Sequence, residues 1–130
     1  MHETTQLCIR QLLKYIRGTS AANPVCADPK VLDVGCGSGI LSIVALKLGA
    51  RAVVGTDLDA DCMTSTHDNM IVNHLDPALG TFYVGNLIDD EELQQKVGTE
   101  EYDIVVANIL APVIIAMAPV IPARLKKGGY

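Results

Sequence analysis

The feature that most constrains the fold is the stretch VLDVGCGSG, residues 31–39, in which three glycines follow a short apolar run. Glycine in an ordered element costs about 0.5–1 kcal/mol relative to alanine, so backbone without side chains is expected to serve a purpose here. A strand that turns through glycines into a helix directs backbone N–H groups and the positive end of a helix dipole at a ligand. The stretch therefore predicts a strand, a ligand-binding loop and a helix.

The rest of the chain alternates short apolar runs with helical patterns. The runs KVLDV, AVVGTD, TFYV and YDIVVANI predict four strands, and helices are predicted over residues 4–18, 40–49, 60–74 and 89–97. This alternation is typical of an α/β domain with a doubly wound, mainly parallel sheet. In such sheets ligands bind at the carboxyl ends of the strands, where the strand order reverses.

The glycine spacing bears on which ligand binds. Residues 35–39 read GxGxG, whereas the dinucleotide fingerprint GxGxxG would need its third glycine at Ile40. Asp57, at the end of the second predicted strand, suits the ribose hydroxyls of any nucleotide. Burying the Asp33 carboxylate in an apolar strand costs free energy unless the carboxylate is paired or hydrogen-bonded. Asp33 is therefore expected either to cap the loop N–H groups or to attract a cationic group. S-adenosylmethionine (AdoMet) is favoured, and an NAD-type site or a tight turn without a ligand stays open.

Composition and charge narrow the class of partner. The cysteines and histidines show no metal-ligand spacing, so no metal is predicted. The chain has no apolar run of about 18 residues and no signal-peptide pattern, so a cytoplasmic protein without a membrane partner is expected. Lys96 is the only Lys or Arg between residues 52 and 103, against twelve acidic residues. This imbalance disfavours direct nucleic-acid binding and suits a basic protein partner.

Several motifs carry a family resemblance. VLDVGCGSG followed by GTDLD resembles the first two motifs of class I AdoMet-dependent methyltransferases, which have a Rossmann-like sheet. HETTQLC, DNMIVN and VVANILA narrow the resemblance to the PrmA-type methyltransferases of ribosomal protein L-eleven, over residues 2–130. The resemblance implies AdoMet as cofactor and N-methylation of a ribosomal protein, at a lysine side chain or an N-terminal amine.

The same resemblance implies roles for individual residues. Thr5 is expected to close the methionine end of the cofactor, and the glycine loop is expected to cradle the methionine moiety. Asp57 is expected to bind both ribose hydroxyls, while Asn86 and Leu87 lie beside the adenine. The full implied cofactor-binding set is Thr5, Asp33, Gly35, Cys36, Gly37, Gly39, Asp57, Leu58, Asn86, Leu87 and Asn108.

Asn108 is the implied catalytic residue. It ends an apolar strand, and its amide oxygen can accept a hydrogen bond from an incoming amine and aim the nitrogen lone pair at the sulfonium methyl. Methyltransferases of amino groups often carry Asn-Pro-Pro-aromatic here, whereas this chain has Asn-Ile-Leu-Ala. The missing aromatic argues against a planar adenine or glutamine amide as target. The step is expected to be an in-line displacement helped mainly by positioning, and no proton acceptor is evident.

The resemblance also concerns domain organisation. Relatives carry an N-terminal domain that recruits the ribosomal protein, and further strands after the position of Tyr130. Residues 1–130 are therefore expected to form a partial AdoMet-binding domain, truncated after its fourth strand and poorly active alone. Three alternatives stay open: a cofactor-binding fragment without activity, an amino-methyltransferase of nucleic acid or glutamine and, more remotely, an NAD-binding oxidoreductase domain.

Overall fold

The computed structural model of the chain describes residues 3–17, 28–99, 101–109 and 115–126. Its helices are α1 (Glu3–Leu12), α2 (Ile40–Leu48), α3 (Asp61–Val72) and α4 (Glu91–Val97). Its strands are β1 (Lys30–Val34), β2 (Ala52–Asp57), β3 (Gly80–Val84) and β4 (Ile104–Ala107). A π-helical turn, Leu13–Arg17, continues α1, and 3-10 turns occupy Pro77–Leu79 and Pro122–Arg124. None of the helices in these ranges is long and apolar enough to cross a membrane.

The four strands form one parallel sheet in the order β3-β2-β1-β4. Val31 in the centre pairs with Val53 of β2 on one side and with Ile104 of β4 on the other. The strand order therefore reverses between β1 and β4, and the carboxyl ends of these two strands form the expected ligand-binding edge. The predicted doubly wound, parallel α/β fold is confirmed.

The sheet separates two hydrophobic clusters. The first lies against α1, α2 and α3 and includes Leu12, Val31, Leu41, Met70 and Ile104. The second lies on the opposite face and includes Leu32, Val34, Leu93, Val97 and Tyr102. Because successive strand residues point to opposite faces, Asp33 shares its face with Val31 and lies on the side of α1 and α2. Burial of each large aliphatic side chain contributes about 1.5–3 kcal/mol to stability.

The start of β4 has a second parallel neighbour. Tyr102 forms a parallel bridge with Leu125, and its N–H donates to the carbonyl of Arg124 over 3.1 Å. The buried Arg124 guanidinium donates to the carbonyls of Gln94 and Gly98, each at 2.9 Å, at the end of α4. Residues 124–126 thus pair with the chain just before β4. Residues 127–130 lie outside the described residues.

Candidate active site

The loop that joins β1 to α2 is built from left-handed glycines. Gly35, Gly37 and Gly39 have φ values of 72°, 55° and 85°, which L side chains rarely adopt. A Cβ at Gly35 would collide with Ile109, and one at Gly39 would lie 2.7 Å from a methyl carbon of Thr66. A Cβ at Gly37 would meet nothing within 4 Å. Two of the glycines therefore allow close packing, and the middle one leaves an open face that a ligand can approach.

Asp57 anchors this loop at the end of β2. Its Oδ2 accepts the Gly37 N–H over 2.9 Å, and its Oδ1 accepts the Asp59 N–H over 3.0 Å. The N–H groups of Gly35 and Cys36 donate to the carbonyl beside it, that of Thr56. A carboxylate oxygen can accept two hydrogen bonds, so Asp57 has acceptor capacity beyond these two N–H groups, part of which the Cys62 thiol uses. Loop capping, which the sequence offered as one role for Asp33, is performed by Asp57.

Asp33 is instead a buried carboxylate with one oxygen unpartnered. Its side chain is 1% exposed, and its Oδ2 accepts the Ser42 hydroxyl over 2.8 Å. Its Oδ1 has no hydrogen-bond partner in the part of the chain that the structure describes. Burial raises the pKa of Asp33 from 3.8 to about 6, against the lowering effect of the hydrogen bonds from Ser42. An orphaned buried oxygen is rare in folded proteins and marks a position where a donor on a ligand would be stabilising.

Thr5 and Asn108 meet although they are 103 residues apart. The Asn108 side-chain N–H donates to Oγ1 of the buried Thr5 over 2.7 Å. This bond uses the amide nitrogen of Asn108 and leaves its Oδ1 to accept from another group. The sequence predicted both residues for the site but not the bond between them. The two residues after Ile109 in the Asn-Ile-Leu-Ala motif lie outside the described residues.

The residues predicted beside the adenine are placed differently from one another. Asn86 closes a turn, because its Oδ1 accepts the Ile88 N–H over 3.0 Å. Leu87 is 1% exposed and belongs to the second hydrophobic cluster, on the same face as Leu93. Leu58, next to Asp57, is 70% exposed. In this structure Leu87 is a core residue, and the contacts of these residues with adenine stay predictions.

The cysteines near the loop are kept as thiols. Burial, together with the negative charges of Asp33 and Asp57, raises the pKa of Cys36 to about 12. Burial also raises the pKa of Cys8, and Asp33 adds to this effect. Since the thiolate is the reactive form, both side chains behave here as small apolar groups.

Three polar residues that hold the site in place were missed by sequence reasoning. Thr66 donates its hydroxyl to the Gly37 carbonyl over 3.0 Å, and the Asn69 amide donates to the Ser38 carbonyl over 2.9 Å. Ser42, the third, is bound to Asp33. The sequence contained two signals for them. Ser42 is the lone hydroxyl in the apolar segment ILSIVALKL, and Thr66 and Asn69 are polar residues three positions apart on one helix.

The fold and these residues define a class of protein. A parallel sheet ordered β3-β2-β1-β4, with a glycine loop after β1 and an acid after β2, occurs in nucleotide-binding α/β folds, of which the class I methyltransferase fold is the one that this chain matches. The family model described as "Ribosomal protein L11 methyltransferase (PrmA)" matches residues 1–130. The chain belongs to this family, and the resemblance stated from its motifs is confirmed.

Individual relatives agree with the family match. The ribosomal protein L11 methyltransferase of Agathobacter rectalis is 79% identical over 129 residues, which are 99% of this chain and 38% of that protein. The enzyme of the same name from Lachnospira eligens is 43% identical, with the same shares covered. The crystal structure of the ribosomal protein L11 methylase from Lactobacillus delbrueckii subsp. bulgaricus superposes with a TM-score of 0.75 at 31% identity, covering 99% of this chain and 57% of that one. The chain thus spans about 38% of the length of each of these two curated relatives.

Proposed function

We propose that this chain binds AdoMet and carries the methyl-transfer centre of a protein N-methyltransferase whose substrate is ribosomal protein L11. One observation carries the proposal: the Thr5–Asn108 hydrogen bond, formed where β4 ends beside β1 and its buried Asp33. The bond fixes the direction of the Asn108 amide oxygen, which suits a reaction that aims one acceptor at an incoming amine.

The carboxylate acceptors and the open face of the glycine loop suit AdoMet. The unpartnered Oδ1 of Asp33 suits an ammonium group, which AdoMet carries on its methionine end. The open face of Gly37 leaves room for the methionine moiety beside the loop. Asp57 has acceptor capacity left for a ribose hydroxyl beside its bonds to Gly37, Asp59 and Cys62. When bound, AdoMet supplies an electrophilic methyl group on a sulfonium.

Asn108 orients the substrate amine in this proposal. Because Thr5 holds the amide nitrogen of Asn108, the amide oxygen is fixed and accepts an N–H of the incoming amine. The lone pair of the amine is then directed at the methyl group, and most of the rate enhancement comes from holding the two reactants in line. The amine attacks in its neutral form, and Asn108 holds its N–H without taking its proton.

The family and the charge pattern support the choice of substrate. The curated relatives carry the name ribosomal protein L11 methyltransferase. Asp59 and Asp61 are exposed directly after Asp57, which favours a basic polypeptide near the site. Since the chain spans about 38% of those relatives, we propose that residues 1–130 are part of a longer methyltransferase that acts in the cytoplasm, with other segments recruiting the substrate.

Cofactor binding is tested by unfolding the chain with AdoMet, S-adenosylhomocysteine or NAD. A ligand at 100 times its dissociation constant stabilises by about 2.7 kcal/mol, and we expect this from the two adenosyl sulfur compounds only. Asp57→Ala is expected to weaken their binding by about tenfold or more, because it removes charged acceptors of the ribose hydroxyls. The matched control is Asp68→Ala, an exposed acid on α3 that should bind as the unsubstituted chain does.

The outcomes separate the candidate functions. Stabilisation by NAD alone would support an oxidoreductase domain and contradict the proposal. Unchanged affinity in Asp57→Ala would remove Asp57 from the ribose site. Transfer of a labelled methyl group from AdoMet to ribosomal protein L11 then tests the substrate, with a ribosomal RNA fragment as the competing acceptor.

A further inference from the structure

We propose that Thr66 of α3 is a positioning residue for the cofactor loop. Its hydroxyl holds the Gly37 carbonyl, so that the glycine loop and Asp57 form one preorganised surface before the cofactor arrives. The inference rests on the proposed AdoMet site and adds a residue that does not itself touch the cofactor.

The backbone of Gly37 is held on both sides. Its N–H donates to Asp57 Oδ2 over 2.9 Å, and its carbonyl accepts the Thr66 hydroxyl over 3.0 Å. Thr66 is 0% exposed. In a variant that lacks the hydroxyl, water therefore does not take its place. The loop then loses a hydrogen bond and leaves a carbonyl without its partner.

Two further contacts bring α3 against the same loop. The Asn69 amide, three residues further along the helix, donates to the Ser38 carbonyl over 2.9 Å. The methyl carbon of Thr66 would lie 2.7 Å from a Cβ at Gly39, so the helix packs directly on the backbone there. Threonine therefore uses both of its branches, the methyl for packing and the hydroxyl for the loop.

These bonds close a ring through the site. α3 begins at Asp61, shortly after Asp57, and returns through Thr66 to Gly37, which is bound back to Asp57. The ribose-binding acid and the methionine-binding loop consequently cannot shift independently. A loop containing three glycines has many conformations to lose, and holding it in one conformation beforehand reduces the entropy that binding must overcome.

The simplest competing explanation is that Thr66 only fills space in the core. Valine has nearly the same shape and lacks the hydroxyl, so Thr66→Val separates the two roles. Thr66→Ser keeps the hydroxyl and loses the methyl. Thr64→Val makes the same chemical change at an exposed position of the same helix and is the matched control.

The dissociation constant of S-adenosylhomocysteine is measured by calorimetry for each variant, together with the free energy of unfolding without ligand. Thr66→Val is expected to bind about three- to tenfold more weakly, the equivalent of one lost hydrogen bond. Thr66→Ser is expected to stay within about twofold of the unsubstituted chain, and Thr64→Val is expected to show no change. If Thr66→Val does not fold, Asn69→Leu removes the neighbouring bond from α3 to the loop, the one to the Ser38 carbonyl, and about threefold weaker binding is expected.

A double-mutant cycle with Asp57→Asn distinguishes positioning from general stability. If Thr66 acts through the Gly37 backbone, its effect on binding becomes smaller once the hydrogen bond from the Gly37 N–H to Asp57 is weakened. A residue that only stabilises the core gives the same fold-change in both backgrounds.

Each result has one meaning. Failure of the unsubstituted chain to bind S-adenosylhomocysteine overturns the proposed function. Binding by the unsubstituted chain that is unchanged in Thr66→Val overturns this inference alone. Weakening in Thr66→Ser as large as in Thr66→Val assigns the effect to the methyl group and also overturns it.

Discussion

Replacing Asp33 by asparagine is expected to stabilise the ligand-free chain at pH 8 and to remove most of its affinity for AdoMet. Burial raises the pKa of Asp33 to about 6, so at pH 8 the side chain is ionised in the interior. Each tenfold change in proton affinity corresponds to about 1.4 kcal/mol, so this charge destabilises the ligand-free fold by about 3 kcal/mol. Asparagine keeps an oxygen for the Ser42 hydroxyl but brings an unpartnered N–H, so a net gain of about 1–2 kcal/mol is expected.

The pH dependence of stability has a defined sign. The carboxyl of Asp33 has a pKa of 3.8 in the unfolded chain and about 6 in the fold, so the folded state holds the proton more tightly between these values. The contribution of Asp33 to stability therefore falls as the pH rises from about 4 to about 6, and the full cost is present above that range. Within the described ranges, the titratable groups that interact electrostatically with Asp33 include Asp57 and the thiols of Cys8 and Cys36.

Urea unfolding from pH 4.5 to 8 measures this effect. The free energy of unfolding of Asp33→Asn is expected to fall less with rising pH than that of the unsubstituted chain. Asp68→Asn, at an exposed position, should show the full decline. For binding, loss of a charge-assisted bond to the ligand ammonium is expected to raise the dissociation constant of S-adenosylhomocysteine about 10- to 100-fold. Equal affinity in Asp33→Asn would show that the ammonium binds elsewhere.

Replacing Asn108 by alanine is expected to lower the rate of methyl transfer about 100-fold or more, as found when one aligned polar group is removed from a reacting centre. The lost group is the amide oxygen that aims the amine, so kcat should fall far more than the affinity for S-adenosylhomocysteine. Thr5→Val removes the acceptor of the 2.7 Å bond and frees the amide to rotate, so a smaller fall in kcat is expected.

Single-turnover transfer to ribosomal protein L11, with binding measured in parallel, checks this expectation. Asn73→Ala, at an exposed asparagine directly after α3, is the control and should leave both quantities unchanged. Parallel losses of rate and affinity in Asn108→Ala would make Asn108 a cofactor ligand only. An unchanged rate would remove it from the reaction.

Most of the secondary structure follows from the sequence, and the differences have local causes. The runs KVLDV and AVVGTD match β1 and β2 to the residue, because they are apolar and end at polar or glycine positions. The predicted run YDIVVANI is longer than β4, since both of its ends have other partners. Tyr102 donates its hydroxyl to the Val97 carbonyl over 2.6 Å, and Asn108 bonds to Thr5. α4 starts after Asp90, which caps it by accepting the Leu93 N–H.

Motif spacing predicted Asp33 and Asp57 as the acids of the proposed site, but it did not predict their hydrogen-bond partners. It did not identify Ser42 as the partner of one or the Gly37 N–H as the partner of the other. Helical periodicity predicted α1 as one helix to residue 18, but the α-helix ends at Leu12 and continues as a π-helical turn. Apolar spacing specifies which face is buried, and it does not specify the hydrogen-bond pattern or a contact between distant residues.

The Thr5–Asn108 contact also has a consequence for the order in which the chain assembles. The pairs β1–β2 and β2–β3 each join strands separated by a single crossover, whereas Thr5 must wait for a strand 103 residues away. Contacts between such distant residues form late, because closing a long loop loses more chain entropy. During synthesis Thr5 leaves the ribosome well before Asn108, because 103 residues separate them. A partly made chain is therefore expected to hold a folded glycine loop before it holds the proposed methyl-transfer centre.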